Sequence, residues 1–368
     1  LSELQIKNEE LKPDKRIILY TLPHALMWFF WAYFIFILTA GTGFMIWEAI
    51  IWHDWFQAAM IPLLLVSAYF LSPALIATPV TLAASRKFLK KDYFGIESSH
   101  RKVLNLLNAL PLPRDTTYAV LYINISLGQL QRGLSEMAEC NLLEALKYIN
   151  EKKKAHRAVA AIAYCNLGCS YFRQMKIEKS VESYNHALHI VGSMPKFYDS
   201  YKVVAYTGLG AAYTRARNYC KAAEYYEKCL DITSNDKCKA LNKKSLPAVK
   251  FYAHTGLANS QLRLGNLEES RKHYGKMMEC LGENINCGDA NCGFLLAELA
   301  DAYMDENDLH RAEGILHLAY NWCSQQPMHP ESQLVLNCFE RYLKMTSREA
   351  EIADMKRWIR LIPSAASA

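Results

Sequence analysis

The sequence predicts an all-α protein: an N-terminal transmembrane helical hairpin followed by an α-solenoid of stacked helical hairpins. Three observations carry this expectation. Two long apolar runs fill residues 24–84, basic residues flank them at their outer ends, and beyond them small and aromatic residues recur at a shift of 42. At 368 residues the chain exceeds one ordinary core of about 100–200 residues, so composition has to be read by region. The expected order is an N-terminal segment, 1–23, a two-helix hairpin, 24–85, and a basic juxtamembrane helix and linker, 86–114. A repeat array, 115–362, and a tail, 363–368, complete it.

The first apolar run extends from Pro23 to Ile51 with Glu48 as its one acid, and the second, Phe56 to Ala84, carries no charge. Each exceeds the roughly 20 apolar residues that a bilayer crossing needs. Pro62, Pro73 and Pro79 would disrupt the interior of a soluble helix; membrane helices tolerate proline, so kinks are expected. A signal peptide would have an apolar core of about 7–15 residues, shorter than the first run, which is therefore expected to stay attached.

Lys12, Lys15 and Arg16 precede the first run, Arg86, Lys87, Lys90 and Lys91 follow the second, and the turn between them carries no Lys or Arg. The positive-inside rule then predicts an integral membrane protein with both termini and the repeats on the cytoplasmic side, or the equivalent inner side of an organelle membrane. Trp47, Trp52 and Trp55 flank His53 and Asp54 at the depth where indole rings favour the membrane interface. His53 and Asp54 thus read as the polar tip of a turn. The alternative is that they join Glu48 in binding a metal or relaying protons.

Residues 86–114 hold seven Lys or Arg against Asp92 and Glu97, a local excess that would attract anionic headgroups. A helix is expected here, capped by Ser98 or Ser99, with Val103, Leu106, Leu107 and Leu110 on one face and Pro111 as its stop. Its short apolar stripe suits packing on the first repeat; an interfacial helix is the alternative.

In the repeat region Tyr164, Leu167, Gly168 and Tyr171 recur as Tyr206, Leu209, Gly210 and Tyr213; Ser180, Tyr184 and Ala187 recur as Ala222, Tyr226 and Cys229. Further units start from Ala138, Ser270 and Ala312, and one longer step of 48 is absorbed by a basic loop before Pro247. Small residues allow paired helices to approach, large ones at i, i+3, i+4 and i+7 fill the space between them, and stacking buries what a single hairpin would expose. These residues resemble the tetratricopeptide repeat, and the period resembles its kinesin-light-chain type. His329, Pro330 and the helix after them look like a terminal repeat. The resemblance covers about residues 115–362 and implies about six helical hairpins. Ser126, Gln129 and Gln261 depart from its pattern, and the basic residues by which some members clamp a chaperone's carboxylate are not evident.

The resemblance implies that the first helix of each hairpin lines a concave groove. In that register Arg173, Arg215 and Arg263 occupy one position in three consecutive units, with Asn166 and Asn259 nearby. Guanidinium groups so placed would suit an acidic segment of a partner; alternatively each Arg serves its helix dipole alone.

Other function classes fit less well. A net charge of +6 is mild for this length, so no nucleic-acid partner is expected. The eleven cysteines are odd in number and form no CxxC pair or Cys/His zinc spacing, so they read as reduced thiols and no metal or cofactor is expected. Phosphate-loop, zinc-protease, nucleophile-elbow and dinucleotide motifs are absent, and His186, His189, His310 and His317 read as surface or packing residues, so no enzyme or small-molecule substrate is expected. The function that results is a membrane-anchored scaffold or adaptor, an accessory subunit or assembly factor whose partners are proteins of a membrane complex and the lipid bilayer. A membrane receptor or sensor relaying a signal through the repeats is the alternative, and an enzyme with a membrane-edge site a weaker one.

Overall fold

The computed structural model describes residues 55–352, apart from 111, 113, 196–197, 235–245, 282–291 and 326–330. Among the described residues there are thirteen α-helices and no strand. The chain divides into two compact units, residues 1–124 and 125–368, with the boundary inside the third helix.

In the first unit, α1 (Trp55–Leu89) packs on α2 (Tyr93–Ala109). The link is polar as well as apolar: Lys87 Nζ donates to Gly95 O at 2.7 Å and to Ser99 Oγ at 3.1 Å, and Phe88 meets Tyr93 edge-on. The cap of α2 is Asp92, which accepts from Gly95 N at 2.8 Å, so the helix begins a turn and a half before Ser98 and Ser99. Its buried stripe is Ile96, His100, Leu104 and Leu107, while Leu106 and Leu110 are exposed, so the apolar face is rotated from the expected one. His100 is fully buried, and desolvation pushes its pKa down to about 4.

The expected integral membrane placement is corrected here. Among the described residues no helix is long and apolar enough to cross a membrane. The second apolar run instead forms part of α1, where Pro73 and Ala77, one turn apart, are buried, and the helix continues through Arg86 and Lys87 to pack on α2. Apolarity alone does not distinguish lipid from protein packing, and that is where the inference failed. The first run, with Glu48, His53, Asp54, Trp47 and Trp52, lies outside the described residues. Trp55 begins α1, Arg86 and Lys90 are exposed, and Lys91 adopts a left-handed conformation (φ 56°) in the turn before α2.

The remaining helices form successive hairpins: α3 (Thr116–Gln131) with α4 (Ser135–Lys147), α5 (Lys154–Arg173) with α6 (Ile177–Gly192), and α7 (Asp199–Arg215) with α8 (Tyr219–Ser234). There follow α9 (Leu246–Arg263) with α10 (Leu267–Leu281), α11 (Cys292–Asp305) with α12 (Leu309–Gln325), and α13 (Glu331–Met345). First and second helices differ in kind. In α5 the run from Ala158 to Ala163 is buried continuously, so the helix is enclosed on all sides; α6 buries Ser180, Ser183, Tyr184, Ala187, Ile190 and Val191, a single stripe.

Close approach explains the repeated glycines. A Cβ at Gly168 would lie 2.9 Å from the Tyr184 ring, and one at Gly210 would lie 2.6 Å from Tyr226. Each tyrosine also abuts a glycine of the following hairpin, Gly208 for Tyr184 and Gly256 for Tyr226, so one ring fills the seam between two repeats. The small position of the second helix is equally constrained. Where it is serine, the hydroxyl donates to a carbonyl of the first helix: Ser180 to Gly168 O at 2.8 Å, Ser270 to Ala258 O at 2.9 Å.

Turns inside the hairpins share one device. Gly133, Met175, Arg217, Gly265 and Asn307 all have φ between 58° and 80°, terminating the first helix in a left-handed residue. Among the described cysteines, Cys165, Cys229, Cys292, Cys323 and Cys338 are buried.

Candidate concave binding face

Consecutive first helices pack side by side, α5 on α7, α7 on α9, α9 on α11 and α11 on α13, whereas second helices make no comparable contact with one another. The first helices therefore make up one side of the array and the second helices the other.

There α3, α5, α7 and α9, with Tyr184 of α6, line a partly open cavity of about 190 Å³. Leu127, Leu130, Val203, Val204, Val249, Tyr184 and Tyr252 are among the residues lining it. Among the described residues, no Lys, Arg, Asp or Glu lines it. Cys165 and Cys169, one turn apart on α5, also face it; burial pushes the Cys165 thiol up to about 12 and raises Cys169, so both stay protonated and unreactive near neutral pH.

Three polar side chains interrupt the wall. Thr207 spends its hydroxyl on Val203 O at 3.0 Å. Asn166 is half-buried and makes no side-chain hydrogen bond among the described residues. Gln131, the last residue of α3, is 8% exposed, and its Oε1 is buried without a hydrogen-bond partner among the described residues.

The three arginines sit at the C-terminal ends of α5, α7 and α9, each engaged with its own chain. Arg173 Nη1 donates to Leu130 O, tying the ends of α5 and α3. Arg215 lies over Phe294 and Phe172, 4.0 and 4.8 Å from their centroids, and donates to Met175 Sδ at 2.9 Å; burial lowers its pKa. Arg263 reaches Asp301 at 3.1 Å and also Asp305, and Arg341 closes the same two carboxylates from α13. Asn259 is fully buried on α9, with neither carboxamide atom hydrogen-bonded among the described residues.

Sequence reasoning missed Glu331, the first residue of α13. It is buried, accepts from Phe294 N at 2.9 Å, and lies within electrostatic reach of Arg173 and Arg215. Desolvation outweighs the arginines and raises its pKa to about 7. It also missed Gln131, which stands at a helix end with no motif around it. Among the described residues no group of three or more His, Cys, Asp or Glu side chains could hold a metal ion. His254 and His273 pair through their Nδ1 atoms at 3.1 Å, beside Lys250, Lys272 and Lys276, whose charges disfavour a cation there.

Comparison with known proteins supports the repeat reading. Residues 161–190 and 203–236 match the family model of the tetratricopeptide repeat. The fold is similar to that of the Rap conjugation gene regulator of the plasmid pLS20 in complex with the Phr* peptide, at 13% identity and TM-score 0.55, over 78% of this chain and 75% of that one. It is also similar to the apo form of RapI, at 12% identity and TM-score 0.57, over 79% of this chain and 98% of that one. No curated protein matches the chain.

Proposed function

We propose that this tetratricopeptide-repeat chain is a protein-interaction scaffold that holds a segment of a partner protein on its concave face, with the cavity between α3, α5, α7 and α9 as the anchoring point. The observation that carries the reading is a preformed hollow on the inner side of four successive first helices, with the Asn166 carboxamide unengaged at its wall. At about 190 Å³ it is smaller than the roughly 300–1,000 Å³ of a small-molecule site, and it suits one side chain of a longer segment. The complex of the Rap regulator with the Phr* peptide supports the capacity of such a fold to hold a peptide. In this reading Asn166 contacts the segment, while Arg173, Arg215, Arg263 and Asn259 shape and brace the face along which it lies.

The test is selection of random heptapeptides displayed on phage against the purified full chain, in parallel with the Thr207→Trp variant. Thr207 lines the cavity and is half-exposed, so the indole fills the hollow without entering the core. Peptides enriched on the unmodified chain and not on Thr207→Trp are expected. No enrichment, or equal enrichment on both, would overturn the reading.

A further inference from the structure

The basic segment before the repeats has no part in the proposed concave site. Residues 86–114 hold seven Lys or Arg against Asp92 and Glu97. Some of these charges are already used: Lys87 donates to Gly95 O and Ser99 Oγ, Arg101 pairs with Glu97 at 3.0 Å, and Asp92 caps α2. Arg86 and Lys90, one turn apart at the end of α1, and Lys102 on α2 are exposed, and their side chains make no hydrogen bond or ion pair among the described residues. Apolar side chains stand among them. Phe94, in the first turn of α2, is 65% exposed and Leu106 is 49% exposed, both away from the buried stripe of Ile96, His100, Leu104 and Leu107.

We infer that this face of α2, with the turn before it, docks on an anionic lipid surface, where Phe94 and Leu106 enter the headgroup boundary and Arg86, Lys90 and Lys102 meet lipid phosphates. The contact is with the surface of a bilayer and requires no helix to cross it. A bilayer interface offers negative charge and hydrocarbon in one plane, so both kinds of side chain are satisfied at once. An acidic protein segment would answer the cations and leave Phe94 in water. The basic side chains can lay their stems along the apolar layer while their charges stay at phosphate level. Docking there would hold the covalently attached repeats, and any partner they bind, near the same surface.

The test mixes the purified full chain with phosphatidylcholine vesicles and with vesicles in which about one lipid in four is phosphatidylglycerol, and reads the bound fraction by co-sedimentation. The anionic vesicles are expected to bind roughly ten-fold more strongly, an excess that shrinks as salt is raised. The triple variant Arg86→Gln, Lys90→Gln, Lys102→Gln is expected to lose that excess. Phe94→Ser, which keeps every charge, is expected to bind the anionic vesicles roughly ten-fold more weakly than the unmodified chain. All four positions are exposed, so the variants are expected to fold, which circular dichroism checks. Equal binding to the two kinds of vesicle, or an excess intact in the triple variant, would overturn the inference. An excess indifferent to Phe94→Ser, with polyglutamate captured by the unmodified chain and not by the triple variant, would also overturn it and give the face to an acidic protein. None of these outcomes depends on a peptide at the concave face.

Discussion

The Arg215 guanidinium lies 4.0 Å from the ring centroid of Phe294, joining the end of α7 to α11. Phe172, from α5, meets Phe294 edge-on at 5.3 Å and the same guanidinium at 4.8 Å. Two consecutive hairpins and a third two repeats further on therefore converge on one cation beside two rings. Nearest-neighbour stacking gives a solenoid its rows; this contact adds a tie across them.

Removing the cation is expected to loosen the tie. Arg215→Ala loses two cation–π contacts and leaves a void beside Phe172 and Phe294, an expected loss of roughly 1–3 kcal/mol. Arg215→Lys should recover only part of it, because a compact ammonium cannot lie flat between rings. Urea unfolding of the three proteins checks both statements.

Glu331 makes stability depend on pH. Its folded-state pKa of about 7 lies above the ordinary 4.5, so the folded protein holds a proton that the unfolded chain has released between those values. The sign follows: its contribution to stability is greatest at or below about pH 4.5, falls as pH rises, and levels off above about 7. Arg173, Arg215 and the Phe294 amide favour the ionised form, and burial opposes it more strongly. Glu331→Gln keeps an acceptor for Phe294 N and does not ionise. The difference in unfolding free energy between the two proteins should change by on the order of 2–3 kcal/mol across that window. Taking the difference removes the opposing contribution of His254, whose pKa is lowered to about 4.

The glycine–tyrosine seam predicts a specific steric penalty. Gly168→Ala places a methyl 2.9 Å from the Tyr184 ring, which also abuts Gly208 of the next hairpin, so the ring must shift at the seam between two repeats. A net loss of roughly 1–3 kcal/mol is expected despite the better helix propensity of alanine. Adding Tyr184→Leu should make the Gly168→Ala step less damaging, which a double-mutant cycle would read.

Arg217 predicts a gain. It is exposed and holds φ at 58°, where Gly133 and Gly265 occupy the equivalent turns of other hairpins. Arg217→Gly should raise stability by about 0.5–1 kcal/mol by removing the left-handed Cβ strain, measured as a rise in the thermal midpoint.

The array was legible in the sequence because its constraint is steric and local: Gly168 with Tyr184 and Gly210 with Tyr226 are each spaced by 16 residues and face one another across one hairpin. The turns were less legible, since Met175, Arg217 and Asn307 hold a conformation usually marked by glycine. Asn166 could be placed by register, but Gln131 could not, because its environment exists only once four first helices curve around the same hollow. The arginines were seen as a row, and their partners Phe294, Asp301 and Asp305 were too distant in sequence to be paired with them. The second apolar run was misread as a membrane span because its composition fits a membrane helix as well as the packed α1.

Photo-crosslinking of a selected peptide, with a diazirine on its anchor side chain, tests the concave site most directly. Mass spectrometry of the full chain should place the adducts on the inner residues of α3, α5, α7 and α9, around Gln131, Asn166, Thr207 and Tyr252. Adducts confined to the second helices, or to residues before α3, would contradict the account.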